Sequence, residues 1–150
     1  MSKISTKLEI IGVVHSPYKT KSDAPRQGTE DTSIIEIADE YTNGLKDIED
    51  FSHLHIIYWL HKSEGYELMV HTPWDAMPHG LFTTRSPRRP NPIGHGVVEL
   101  INIKENKLYV KGLDAIEGTA VIDIKPYVKK LDIRENANEG WIEKTRLNRN

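Results

Sequence analysis

The sequence contains no cysteine. Disulfide frameworks, iron–sulfur clusters and thiolate nucleophiles are thereby excluded, and a reduced, cytoplasmic setting is expected. Long apolar runs are also missing. The longest, Ile56 to Leu60, falls far short of the ~20 residues that span a membrane as a helix. The stretch Met1 to Glu9 has no apolar core of the kind a secretory signal requires. Charge of one sign is scarce: 20 Lys and Arg stand against 22 Asp and Glu, a net charge of −2. No global field therefore drives the chain toward nucleic acid or an anionic membrane, and any anion site has to be a local patch. Helical runs of about 10–15 residues between strands, which a βαβ protein needs, are absent as well.

What is present reads as strands. The 150 residues are 37% hydrophobic and 28% charged, a globular composition with enough length for a core that needs no staples. Leu8 to Val14, Ser33 to Ile37, Phe51 to Leu60, Glu67 to Val70, Leu81 to Thr84, Val97 to Ile103, Leu108 to Leu113 and Ala120 to Tyr127 are rich in β-branched and aromatic residues or alternate in polarity. Lys104 to Lys107 separates two alternating runs as a hairpin turn would. One short helical segment is expected, because Tyr41, Leu45 and Ile48 fall at i, i+4 and i+7. The expected fold is mainly all-β and antiparallel, a single sheet closed into a barrel or else a sandwich. Residues 1–128 form the barrel domain in this reading, and 129–150 a charged C-terminal extension of the same domain, with Trp141 and Ile142 as its anchors.

Charge is unevenly placed. Glu36, Asp39, Glu40, Asp47, Glu49 and Asp50 crowd one segment, whereas Ala76 to Val98 carries Arg85, Arg88 and Arg89 with His79 and His95 and no acid. The basic segment contains Pro87, Pro90 and Pro92, which fix φ, and Asn91, Gly94 and Gly96, which permit tight turns. Guanidinium groups on such a stiff frame suit a carboxylate or phosphate, because pre-ordering lowers the entropy lost on binding. The alternative is a solvated loop whose prolines merely block edge pairing. Ser16 to Gln27 repeats the pattern on a smaller scale, with Pro17 and Pro25 beside Arg26 and Gln27; the alternative there is an ordinary proline-containing surface loop.

Two further segments carry polar groups. In Phe51 to Lys62 the strand period puts His53, His55, Ile57, Trp59 and His61 on one face. His53 and His55 resemble half of a metal site, and a metal hydrolase using them is one hypothesis. No third ligand at a diagnostic spacing completes the set, so no metal is expected. His61 and Lys62 lie where the strand runs out into a loop, a common place for ligand contacts. Between Gly112 and Gly118, Asp114 and Glu117 can offer carboxylates to ribose hydroxyls or an ammonium group. Asp123 and Lys125 share a strand face and can pair. Glycine-rich dinucleotide and P-loop motifs, the nucleophile elbow and the zinc-protease motif are all missing. No catalytic residue is identifiable.

Five stretches carry a resemblance: Ile11 to Tyr18, Pro25 to Gln27, Phe51 to Leu54, Phe82 to Gly94 with its Arg-Pro-Asn-Pro-Ile-Gly string, and Leu113 to Tyr127 with Asp-Ile-Lys-Pro-Tyr. In these the chain resembles the TsaA-like, TrmO-type family of S-adenosylmethionine-dependent tRNA (adenine-N6) methyltransferases. The resemblance implies a single-sheet TsaA-like β-barrel that binds S-adenosylmethionine as a homodimer. It also implies methylation of the N6 amine of threonylcarbamoyl-adenosine at tRNA position 37. Matched residue by residue, it implies a cofactor set of Pro25, Arg26, Gln27, His61, Lys62, Arg85, His95 (through its backbone), Leu113 and Asp114. Lys62 stands where some members have Gln, and longer members carry a further C-terminal domain. The competing expectation is a non-catalytic barrel that binds S-adenosylmethionine or RNA.

Overall fold

The computed structural model describes residues 3–24 and 30–147. It separates into two compact units. The first comprises residues 1–62 and 92–127, the second residues 63–91 and 128–150.

The first unit holds β1 (Gly12–His15), β2 (Thr32–Ile37), β3 (His53–Trp59), β6 (Ile93–Lys104), β7 (Lys107–Lys111) and β8 (Ala120–Pro126). Every pairing is antiparallel, in the order β1-β2-β7-β6-β3-β8, and β8 returns to β1 to close the barrel. Closure leaves no row of unpaired backbone groups at an edge. The period-2 alternation explains the core: Val14, Ile35, Ile37, Leu54, Ile56, Tyr58, Val98, Leu108, Val110 and Val121 point inward and are buried. On β3 this puts Leu54, Ile56 and Tyr58 inside, and His53, His55, Ile57 and Trp59 on the outer face.

β6 and β7 meet at a tight turn over Glu105 and Asn106, with Lys104 paired to Lys107 and Glu105 at φ +56°. Asn106 also ties this turn to β2. Its side-chain amide donates to the Ile37 carbonyl at 2.8 Å, and its own carbonyl accepts from the Ile37 N–H at 2.9 Å. Tyr41, Leu45 and Ile48 do pack on the core, but no α-helix carries them. The backbone forms two short 3-10 segments, Asp39–Leu45 and Ile48–Asp50. Asp47, left-handed at φ +69°, interrupts the segment before an α-helical register can propagate.

The second unit contains the hairpin β4 (Met69–Thr72) and β5 (Asp75–Gly80), and two short helices, α1 (Lys129–Asp132) and α2 (Trp141–Leu147). The strands therefore form two sheets, the barrel and a separate two-stranded sheet, where one sheet was expected. Leu81 to Thr84, expected as a strand, starts with a 3-10 turn over Leu81–Thr83, closed by the Thr83 and Thr84 hydroxyls bonding back to Gly80 and Leu81 carbonyls. Trp141 does anchor the C-terminal segment. Its indole N–H donates to the Thr83 carbonyl at 3.1 Å, and its ring stacks on His79 at 3.8 Å. Asp75 holds the other side of His79 at 2.8 Å. Met77 and Ala76 N–H groups and the His79 ring hold the Asp75 carboxyl below its ordinary range, the Met77 amide contributing most.

Candidate functional site

Side chains of interest gather at the end of the barrel where β3 runs out. Tyr58 is the penultimate residue of β3 and pairs with Gly94 on β6. Its ring points inward and is 4% exposed. Its hydroxyl donates to Asp114 Oδ1 at 2.5 Å. Burial and the neighbouring Asp114 push the Tyr58 phenol well above its usual range, so it keeps its proton and stays a donor. His61 and Lys62 follow immediately after β3, both exposed, and the chain there is pinned by the Leu60 N–H on the Pro92 carbonyl at 2.7 Å.

The loop that delivers Asp114 is rigidly held. Leu113 and Ala115 belong to the barrel core, so Leu113 can offer a ligand only its backbone. Gly112 and Gly118 take φ +94° and +82°, conformations that favour glycine. The Glu117 N–H donates to the Tyr18 carbonyl at 2.7 Å and the Gly118 N–H to the Val14 carbonyl at 2.9 Å. The Thr119 hydroxyl closes the turn on the Ile116 carbonyl at 2.7 Å. Asp114 is thus a half-buried carboxylate on a fixed backbone, and Tyr58 is its one hydrogen-bond partner among the described residues.

Glu117, two residues beyond Ala115, is committed elsewhere. One oxygen accepts from the Ser16 N–H at 2.7 Å, with Lys19 Nζ at 3.5 Å, and the other meets His15 Nδ1 at 3.0 Å. Glu36 takes His15 Nε2 at 2.8 Å. The imidazole is therefore clamped between two carboxylates, which raise its pKa, Glu36 more than Glu117. Both acids fall below their ordinary value, Glu117 chiefly through the Ser16 amide and Glu36 through His15.

The histidine face of β3 lies on the outside of the barrel. His55 Nδ1 and His95 Nε2 are 2.9 Å apart with their rings stacked, and Tyr127 tilts against both His53 and His55. His95 sits opposite Ile57, so its side chain faces outward while its backbone runs in the β3–β6 ladder. Asp123 and Lys125 pair at 3.0 Å. Among the described residues, no group of three or more His, Asp or Glu side chains is placed to hold a metal ion.

In the second unit Arg85 and Arg88 are exposed, but Arg89 is spent on the loop itself. Its guanidinium donates to the Thr84 and Ser86 carbonyls at 3.0 and 3.1 Å. Of the three arginines expected to face an anion, Arg85 and Arg88 are thus exposed and Arg89 stiffens their frame. Pro25, Arg26 and Gln27 lie outside the described residues. Sequence reasoning did not single out Tyr58, whose place in the alternation marks it only as core, nor the His15–Glu36–Glu117 clamp, whose members are far apart in the chain.

A small closed antiparallel barrel with polar and charged side chains on its connecting loops, and no glycine-rich βαβ turn among the described residues, defines the class. Within it the chain belongs to the tRNA-methyltransferase O N-terminal domain family, whose model matches residues 13–133. A probable S-adenosyl-L-methionine-binding protein of Archaeoglobus fulgidus is 50% identical over 139 residues, covering 91% of this chain and 38% of that protein. A tRNA (adenine(37)-N6)-methyltransferase of Rattus norvegicus is 34% identical over 138 residues, covering 85% of this chain and 32% of that protein. The crystal structure of TrmO from Pseudomonas aeruginosa superposes with a TM-score of 0.75 at 28% identity, covering 91% of this chain and 62% of that one. The chain thus spans less than two thirds of the length of each of these.

Proposed function

We propose that the chain binds S-adenosylmethionine at the β3 end of its barrel and transfers the methyl group to the N6 amine of threonylcarbamoyl-adenosine at position 37 of tRNA. The observation that carries this reading is the Asp114 carboxylate, half-buried on a fixed loop, beside the strand end that leads into His61 and Lys62. Membership of the tRNA-methyltransferase O family supports the reaction class. The rat relative's name supports position 37.

The residues present suit such a ligand. Its donors are ribose hydroxyls and an ammonium group, which a fixed carboxylate accepts; its carboxylate end suits an ammonium such as Lys62 or a guanidinium such as Arg85. Pro25, Arg26, Gln27, the backbone at His95 and the backbone of Leu113 complete the proposed set. When bound, the cofactor supplies an electrophilic methyl group on a sulfonium. The chain's own residues bind and orient the reactants: the transfer is an in-line displacement on carbon, and alignment with exclusion of water provides most of what a protein can contribute. The active form in this proposal is a homodimer in the cytoplasm. Among the described residues no helix is long and apolar enough to cross a membrane.

A non-catalytic binding module is the second reading, favoured by the archaeal relative's name, which states binding alone. Incubation of total tRNA with methyl-labelled S-adenosylmethionine, followed by nucleoside mass spectrometry, separates the two. The enzyme reading expects label in N6-methylated threonylcarbamoyl-adenosine. Tight cofactor binding with no label in any nucleoside supports the module instead.

A further inference from the structure

Tyr58 is an unusual choice for the inside of this barrel. Its neighbours on the inner face of β3, Leu54 and Ile56, are aliphatic, and a phenol in such a place costs free energy unless its hydroxyl finds a partner. The partner is not a core group. It is the carboxylate of Asp114, on the loop 112–119. Two features of the barrel exist to fit this ring. Gly94, directly opposite Tyr58 in the ladder, leaves the space the ring occupies: a Cβ at Gly94 would stand 2.3 Å from Tyr58 Cε2. On the other side, the β3–β8 pairing shifts register between Ile57 and Tyr58, a bulge of the kind that re-aims a side chain beside a site.

We infer that Tyr58 is the positioning residue of the Asp114 carboxylate: its hydroxyl holds Oδ1, so that Oδ2 is presented in one orientation to a hydroxyl or ammonium donor of the bound ligand. The inference rests on the reading of Asp114 as a cofactor contact. It assigns to Tyr58 a role exercised through Asp114. It also explains the glycine of the Pro-Ile-Gly string as a space requirement. With Oδ1 fixed by a protonated phenol, the carboxylate keeps its orientation without the ligand having to freeze it, which lowers the entropy lost on binding.

The test is a double-mutant cycle on S-adenosylmethionine affinity, measured by calorimetry with wild type, Tyr58→Phe, Asp114→Ala and the double variant. Tyr58→Phe keeps the ring over Gly94 and removes only the hydroxyl. The expected result is a loss of about tenfold in affinity on Tyr58→Phe, the scale of one charge-assisted hydrogen bond. In the Asp114→Ala background the same change costs less than about twofold, because the two residues act as one unit. Equal losses in both backgrounds mean that Tyr58 acts through the fold alone and overturn the inference. So does full affinity in Tyr58→Phe alongside weak binding by Asp114→Ala. Full affinity in Asp114→Ala, or no binding by wild type, overturns the underlying reading and the inference with it. A second readout requires no Tyr58 variant. In protein labelled with 13Cζ-tyrosine, the Tyr58 resonance shifts on ligand addition in wild type and stays put in Asp114→Ala; an unmoved resonance in wild type contradicts the inference.

Discussion

His15 shows how much a single side chain can draw together in this fold. It joins β1 to Glu36 on β2 and to Glu117 in the loop before β8, and Glu117 in turn receives the Ser16 amide. The pH dependence follows from the directions of the shifts. The His15 pKa is raised above its ordinary 6.5, so the stability it contributes is complete below pH 6.5 and is lost as pH rises through the folded value. The Glu36 and Glu117 pKa values are lowered from 4.5, so their contribution is present above pH 4.5 and is lost as pH falls through the folded values. All three are partly exposed, which keeps the effect modest. Melting temperature of wild type minus that of His15→Gln is expected to be largest between pH 4.5 and pH 6.5 and to shrink on the alkaline side. A difference that does not vary with pH contradicts the clamp.

At the scale of elements, the β3–β6 pairing depends on one missing side chain. Gly94→Ala drives a methyl into the Tyr58 ring, and the expected cost is about 1–3 kcal/mol, the usual penalty of overpacking. Urea unfolding measures it, and in a Tyr58→Ala background the loss is expected to shrink. An unchanged loss there places the strain elsewhere. Strands whose residues alternate were legible in the sequence: β2, β3, β7 and β8 lie within or beside the expected segments, and the turn at Glu105-Asn106 falls between its lysines. β5 was not legible, because Asp75–Gly80 contains Pro78 and Gly80 and has no alternation. It is held instead by a partner strand and by the Asp75–His79 contact. The 3-10 segments defeated the periodicity argument for a related reason. Three apolar residues can reach a core from irregular turns as well as from a helix. The candidate site was legible only as loops rich in proline, glycine and charge. The Tyr58–Asp114 contact joins residues far apart in sequence and leaves no local pattern.

For the whole molecule, the barrel brings the loop 112–119 and the end of β3 together by closure of its strand order, while Arg85 and Arg88 belong to the second compact unit. In the proposed function the ligand binds where Asp114 meets the β3 end. Hydrogen–deuterium exchange with and without saturating S-adenosylmethionine tests it most directly. Protection is expected in peptides covering residues 58–62 and 112–116, with the outer face around His53 and Tyr127 unchanged. Binding accompanied by protection only on that outer face, with 58–62 and 112–116 exchanging as before, would contradict it.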